Sequence, residues 1–169
     1  MSERSHRARS AFSMVEMVVV IAILAMLTSM ATLTLGGAMS RYEISRAADT
    51  IQICDAKARR AARLSRQPIE SSFDRGEQEL TLDLPNRSGS LDEQRFRLPR
   101  TVEIGDFRLR RKGVVGNRVD IPYSPQGASP TYAIELRRGK MSRWLVVLGL
   151  SGQVISVDTE GEVDALLSI

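Results

Sequence analysis

The sequence has little of the chemistry on which most enzymes depend. Its single cysteine, Cys54, cannot form an internal disulfide and cannot supply the paired thiolates of a zinc ribbon. Its single histidine, His6, lies close to the N-terminus, so a Ser/His/Asp or Cys/His catalytic arrangement would depend on that one residue. These absences argue against most hydrolases and metalloenzymes. We therefore predict no catalytic residue, no metal site and no cofactor.

Aromatic residues are also few, at 5%, but 43% of the residues are hydrophobic, which excludes a chain that is disordered throughout. The hydrophobicity is unevenly placed, since no charge occurs from Met17 to Met39. A helix over that run is long enough to cross about 30 Å of hydrocarbon. Ahead of it, Arg4, Arg7 and Arg9 oppose one acidic residue, Glu3. This balance favours a cytoplasmic N-terminus and a body on the other side of the membrane.

A cleaved secretory signal peptide is the alternative, because small residues at 36–38 lie near the end of the apolar run, as signal peptidase requires. The run is longer than the roughly 7–15 apolar residues of such peptides. Glu16 also stands at its edge, where an ionised carboxylate is costly unless it is paired. We therefore predict a retained transmembrane helix, with Glu16 in need of a positive partner.

Residues 11–17, AFSMVEM, with the following VVVIAIL, resemble the cleavage and methylation motif of type IV prepilins and type II secretion pseudopilins. The resemblance implies that a prepilin peptidase cuts between Ala11 and Phe12 and methylates the new N-terminus at Phe12. It also implies that the helix first anchors the chain in the inner membrane and later packs in a filament. Ala11 stands where the family usually has glycine. Glu16 is the family's acidic fifth position, which pairs with the terminal amine of a neighbouring subunit.

Beyond the apolar run the chain keeps a helical pattern with one apolar face. The residues of this face are Ile44, Ala47, Ala48, Ile51, Cys54, Ala58, Ala61 and Ala62. The pattern predicts one helix over 12–66, transmembrane in its first half and amphipathic in its second, with Pro68 marking its end. Cys54 lies on this face, so we interpret it as a small buried hydrophobic residue.

After Pro68 short segments of alternating hydrophobicity predict antiparallel strands. The predicted strands are 79–84, 94–98, 101–104, 106–112, 117–121, 131–137, 143–149 and 153–158, and the predicted loops are 68–78 and 85–93. The predicted fold is α+β and pilin-like, with a long N-terminal helix packed on an antiparallel sheet body. Its predicted parts are a cytoplasmic leader at 1–11, the helix at 12–66 and a periplasmic body at 67–169.

A second resemblance concerns the C-terminal part, where YSPQG at 123–127 and the segment 131–154 are similar to the end of the GspH/FimT group of minor pseudopilins. This resemblance implies a structural subunit in the pseudopilus of a type II secretion system. Its implied partners are the prepilin peptidase and other major and minor pseudopilins. Type IV pili and competence fibres share the same N-terminus, and a signal-anchored globular domain is a further alternative.

Two charged segments have a functional and a structural interpretation. The acidic segment 158–164, DTEGEVD, does not have the spacing of an EF-hand, so a solvated turn is favoured over a calcium site. Arg137, Arg138, Lys140 and Arg143 flank the last hairpin and form either a solvated face or a DNA-binding surface. The second interpretation corresponds to a FimT-like minor pilin that binds DNA during uptake, which is the alternative function. After cleavage before Phe12 the chain would keep 21 basic and 19 acidic residues, and this net charge of +2 is weak for that role.

Overall fold

The computed structural model of the chain describes residues 13–85, 91–110, 113–114 and 116–168. The leader predicted at 1–11 and the predicted processing residues Ala11 and Phe12 lie outside these ranges. The chain divides into two compact units, Met1–Met39 and Ser40–Ile169. Every buried apolar residue of the described ranges belongs to the second unit, which therefore has its own core.

The first element is a long helix, α1, from Met14 to Ser65. Its first turn is closed by the backbone amides of Glu16 and Met17, which donate to the carbonyl of Ser13 at 3.0 and 3.2 Å. Its end follows from two residues: Arg66 has a left-handed backbone with φ of 55°, and Pro68 cannot continue a helix. The predicted helix is confirmed, and it ends one residue earlier than predicted.

Nine strands follow in the part of the chain that the structure describes. They are β1 (Ile69–Asp74), β2 (Glu79–Pro85), β3 (Leu91–Arg97), β4 (Glu103–Leu109), β5 (Gly113–Val114), β6 (Arg118–Tyr123), β7 (Tyr132–Arg138), β8 (Met141–Val147) and β9 (Val154–Val157). They form a four-stranded sheet in the order β3-β2-β1-β6 and a five-stranded sheet in the order β5-β4-β7-β8-β9. All strand pairs are antiparallel, as predicted.

Three predictions need correction, and the first is the loop at 85–93, since β3 already begins at Leu91. The segments 101–104 and 106–112 do not form separate strands, because β4 continues through a register shift between Ile104 and Phe107. A bulge of this kind bends a strand without ending it. The loop predicted at 68–78 contains β1, whose buried face includes Ser71, fully buried 3.5 Å from the hydroxyl of Tyr123. Strands are predicted from the alternation of hydrophobic and polar residues. The buried serine places a polar residue at a hydrophobic position and so interrupts that alternation.

One apolar cluster joins α1 to strands of both sheets. The residues of α1 in this cluster are Ile44, Ala47, Ile51, Cys54, Ala58 and Ala62, none more than 2% exposed. Three aromatic rings from different strands, Phe73, Phe107 and Tyr132, lie with centroids 5.5, 5.7 and 5.9 Å apart. The small side chains of the helix allow the strands to approach closely. The amphipathic pattern and the burial of Cys54 are therefore confirmed.

The acidic segment at 158–164 is not a solvated turn, and that prediction is wrong. It enters a second helix, α2, from Glu160 to Ser168. Val163 of α2 is fully buried in a second apolar cluster with Trp144 and Val146. Packing of α2 on the five-stranded sheet thus overrides the acidic composition of the segment.

In the first unit the large apolar side chains of α1 are exposed, among them Ile21 at 62%, Leu24 at 56% and Leu27 at 60%. Among the residues that the structure describes, no helix combines the length and the apolarity that crossing a membrane demands. The transmembrane segment predicted at 17–39 is therefore not confirmed.

Candidate functional site

The first candidate site is the N-terminal end of α1, where the sequence predicts an assembly role for Glu16. Glu16 lies in the first turn of α1 with its side chain exposed. The positive end of the helix dipole favours a carboxylate at this position. No lysine or arginine occurs along α1 before Arg41, so the helix itself offers Glu16 no cation within reach. The carboxylate is accessible to a positive group from another chain.

The second candidate site is the β7–β8 hairpin, which carries the predicted DNA-binding residues. Three of the four cations have carboxylate partners. The pairs are Arg137–Glu135, Arg138–Glu43 at 2.8 Å between Nε and Oε2, and Arg143–Asp158 at 3.4 Å between Nε and Oδ1. Lys140 is exposed in the turn. Because nearby carboxylates offset most of this charge, the geometry does not favour binding of nucleic acid through phosphate contacts.

A buried polar network, which the sequence analysis did not predict, joins α1 to both sheets. At its centre are Asp55 and Arg59, one helical turn apart on α1 and 3% and 4% exposed. Nε of Arg59 lies 2.5 Å from Oδ2 of Asp55. A buried ion pair loses much of its hydration energy, so it requires further hydrogen bonds to be stable.

Asp55 receives those hydrogen bonds from two tyrosines. Its Oδ1 accepts from the hydroxyl of Tyr123 at 2.9 Å and from that of Tyr132 at 3.1 Å. Tyr123 ends β6 and Tyr132 begins β7, so one carboxylate contacts a strand of each sheet. Burial, reinforced by nearby negative groups, raises the pKa of both tyrosines above the ordinary value of 10.0, which keeps the hydroxyls protonated as donors.

The guanidinium of Arg59 contacts two turns that are far apart in sequence. Its Nη1 donates to the carbonyl of Gly127 at 2.9 Å and to that of Gly149 at 2.6 Å, and its Nη2 donates to Oγ of Ser129 at 2.9 Å. Gly127 has φ of 79°, and a Cβ there would lie 3.0 Å from the carbonyl oxygen of Arg59. Both the backbone conformation and the close approach of α1 therefore require glycine at position 127.

The network is structural and has no reactive group. Cys54, which adjoins Asp55, has its pKa raised to about 12 by burial and by the Asp55 carboxylate, so its thiolate does not form at neutral pH. Within the described residues, which include the acidic segment 158–164, no group of three or more His, Cys, Asp or Glu side chains is arranged to hold a metal ion. The arrangement stabilises the joint between helix and sheets.

The sequence contained weak signals for this network. Asp55 and Arg59 have the i, i+4 spacing of an acid–base pair and adjoin Cys54 and Ala58 of the buried face. The segment 123–127, singled out for its turn residues, supplies both Tyr123 and Gly127. What joins these parts is the tertiary fold, which no local pattern shows.

Comparisons with known proteins agree with this geometry. A family model described as the prokaryotic N-terminal methylation motif matches residues 6–32. The fold is similar to that of the minor pseudopilin EpsH from the Type 2 Secretion System of Vibrio cholerae, with a TM-score of 0.51 and 12% identity over 69% of this chain and 97% of that chain. No curated protein matches the chain. The chain thus combines an N-terminal methylation motif with a fold similar to that of this minor pseudopilin.

Proposed function

We propose that this chain is a structural minor pseudopilin of the GspH type that is assembled into the pseudopilus of a type II secretion system. One observation carries the proposal. The chain has an N-terminal methylation motif at 6–32 and a fold that matches 97% of the chain of a minor pseudopilin from such a system. The subunit acts by assembly with the major and other minor pseudopilins, and it catalyses no reaction.

Processing creates the charge that assembly requires. A prepilin peptidase cuts between Ala11 and Phe12, and Phe12 becomes the methylated first residue. Its amine carries a positive charge, and the exposed Glu16 of a neighbouring subunit supplies the opposite charge. In apolar surroundings such a pair is favoured, because either charge alone would be costly.

The precursor lies in the inner membrane as a single-pass protein, with the N-terminus cytoplasmic and the body periplasmic. The uncharged run from Met17 to Met39 supports this topology. So does the exposure of side chains such as Ile21 and Leu27, because an apolar surface of that extent requires lipid or other helices to cover it. Lipid covers it before assembly, and helices of other pseudopilins cover it afterwards.

Mass spectrometry of the protein from its native membrane tests the processing step. We expect the intact mass and the N-terminal peptide to show a chain that begins at methylated Phe12. A chain that begins at Met39 would identify an exported soluble protein, and it would contradict the membrane, filament and Glu16 proposals together.

The role of Glu16 is tested with Glu16→Ala. We expect the variant to remain in the membrane fraction but to be lost from sheared pseudopili and from crosslinks to the other pseudopilins. Asp49→Ala, which removes an exposed carboxylate elsewhere on α1, is the matched control and should assemble normally. Normal incorporation of Glu16→Ala would show that the carboxylate does not pair in the fibre.

A further inference from the structure

A groove of about 450 Å³ lies within the second unit, between the helix residues at its start and the β7–β8 hairpin. Its lining includes Arg41 and Ile44 from α1, Lys140, Met141 and Arg143 from the hairpin, and Asp158. The ion pair of Glu43 with Arg138, at 2.8 Å, holds the hairpin against this part of α1. The groove is therefore fixed in position relative to residues 41–44 of α1.

The groove adjoins the end of the apolar run in sequence. Arg41 lies two residues after Met39, and Ile44 lies five residues after it. These separations correspond to about 3 and 8 Å along a helix axis. The polar headgroup layer is about 5–7 Å thick on each side of the hydrocarbon. If the run 17–39 is embedded in the bilayer, Arg41, two residues beyond it, lies at the depth of the lipid headgroups.

The lining has the chemistry that an anionic headgroup requires. Arg41, Lys140 and Arg143 face one carboxylate, Asp158, so positive charge is in excess. Arg41 and Lys140 are exposed, whereas the Arg143 side chain is 42% exposed and lies 3.4 Å from Asp158. Met141, which is partly exposed, adds apolar surface of the kind that the glycerol and first methylenes of a lipid contact.

A nearby aromatic residue points to the same environment. Tyr42, next to Arg41, is 58% exposed, and the guanidinium of Arg46 lies 6.0 Å from the centre of its ring. Exposed tyrosines beside cations are typical of the membrane–water interface, where the ring contacts lipid and the hydroxyl contacts water.

We propose that this groove binds the phosphate headgroup of an anionic phospholipid at the membrane surface from which α1 emerges. The proposal rests on the membrane anchoring given under the proposed function. It assigns Arg41 and Lys140, with Arg143, to the headgroup phosphate. Lys140 and Arg143 of the hairpin thereby contact lipid, in place of the solvent or the DNA backbone that the sequence left open for them.

Two features favour lipid over nucleic acid. The groove has the volume of a small-molecule site, whereas a duplex backbone needs an extended basic track. The carboxylates of Glu43 and Asp158 also interrupt the basic surface. They would repel the successive phosphates of a nucleic acid, but they leave room for a single phosphate.

The test uses the full chain in detergent micelles, to which phosphatidylglycerol or phosphatidylcholine is added, with bound lipids counted by native mass spectrometry. We expect phosphatidylglycerol to be retained in preference to phosphatidylcholine. Arg41→Gln combined with Lys140→Gln should lower that retention by about fivefold per cation, or roughly 30-fold in total.

The matched control is Arg60→Gln combined with Arg66→Gln, which removes the same charge from exposed positions at the far end of α1. It should leave the preference unchanged. Equal retention of both lipids, or a preference that survives Arg41→Gln with Lys140→Gln, would overturn the proposal. Release of the lipid by inorganic phosphate at equal concentration would identify a free-phosphate site instead. Binding of a short DNA duplex that is lost in the same double variant would identify a DNA site.

Carbonate extraction of native membranes separates this inference from the proposed function. A chain that is released by carbonate contradicts the membrane anchor, and with it both proposals. A chain that resists extraction but shows no lipid preference contradicts the groove assignment alone.

Discussion

At the scale of single residues, Arg59 is the side chain on which the joint between helix and sheets depends. It is 4% exposed, pairs with Asp55, and donates to carbonyls in both the β6–β7 and the β8–β9 turns. Removing it leaves a buried carboxylate without its cation and takes the guanidinium donor from the carbonyls of Gly127 and Gly149. Buried charges left in this way are far more costly than the intact pair is stabilising.

The first prediction concerns this residue. In the second unit expressed alone, residues 40–169, we expect Arg59→Met to lower the free energy of unfolding by about 3–5 kcal/mol. Arg60→Met, the exposed neighbour, should change it by less than about 0.5 kcal/mol. Urea denaturation followed by circular dichroism measures both.

A double-mutant cycle decides whether the network acts as a unit. The double variant Asp55→Asn with Arg59→Met should lose less stability than the two single variants added together, because each single variant already breaks the same contacts. Strict additivity would mean that the two side chains stabilise the fold independently.

Individual residues of the network were predictable only in part. The periodic apolar face placed Cys54 and Ala58 in the core, and both are buried. The same periodicity gives no reason to bury Asp55 or Arg59, since isolated charges are usually exposed. Their burial depends on Tyr123, Gly127 and the other contacts that only the tertiary fold brings to them.

At the scale of secondary structure, α2 is attached by one buried apolar residue and a few ion pairs. Arg108 of β4 pairs with Glu160 and with Asp164, the latter at 2.8 Å between Nη1 and Oδ1. The same guanidinium lies 5.1 Å from the ring centre of Trp144, which is 5% exposed. Trp144 is the only tryptophan of the sequence, so its fluorescence reports on this contact.

The second prediction uses that fluorescence. Val163→Asp places a charge in the fully buried position of α2, and we expect the helix to detach and the Trp144 emission to shift to longer wavelength. Ala165→Asp introduces the same charge at an exposed position of α2 and should leave the emission unchanged. An unshifted spectrum for Val163→Asp would show that α2 does not cover Trp144 in solution.

Elements with a clear hydrophobic periodicity were predicted, and elements in which polar residues obscure that periodicity were not. Helix α1 and strands such as β7 follow an uninterrupted pattern, and each lies within a residue or two of its predicted bounds. Strand β1 buries a serine, and α2 has only Val163, Leu166 and Leu167 as an apolar face among acidic residues. In both cases tertiary contacts decided the structure, because β1 pairs with β2 and β6, and α2 packs on the five-stranded sheet.

At the scale of the whole molecule, burial of acidic groups makes stability depend on pH. The pKa of Cys54 rises from 9.0 to about 12, and the pKa values of Tyr123 and Tyr132 rise above 10.0, in each case chiefly through burial. In the unfolded chain these groups lose their protons from about pH 9 upward, while the folded protein keeps them. The unfolded state then binds fewer protons, so stability falls as pH rises.

The third prediction follows from this decrease in stability at alkaline pH. We expect the urea midpoint of residues 40–169 to be lower at pH 11 than at pH 8, with no contribution from these three groups below about pH 8. Tyr132→Phe should reduce the alkaline decrease, because it removes one of the groups that ionises on unfolding. A midpoint that stays constant between pH 8 and pH 11 would contradict the assigned burial.

The position of Arg59 also decides how the subunit responds to mechanical force. Within the second unit, a pull along α1 is transmitted to the β6–β7 and β8–β9 turns through the contacts of Arg59 with Gly127, Ser129 and Gly149. The part of α1 around Arg59 and these two turns therefore stay together under such a load.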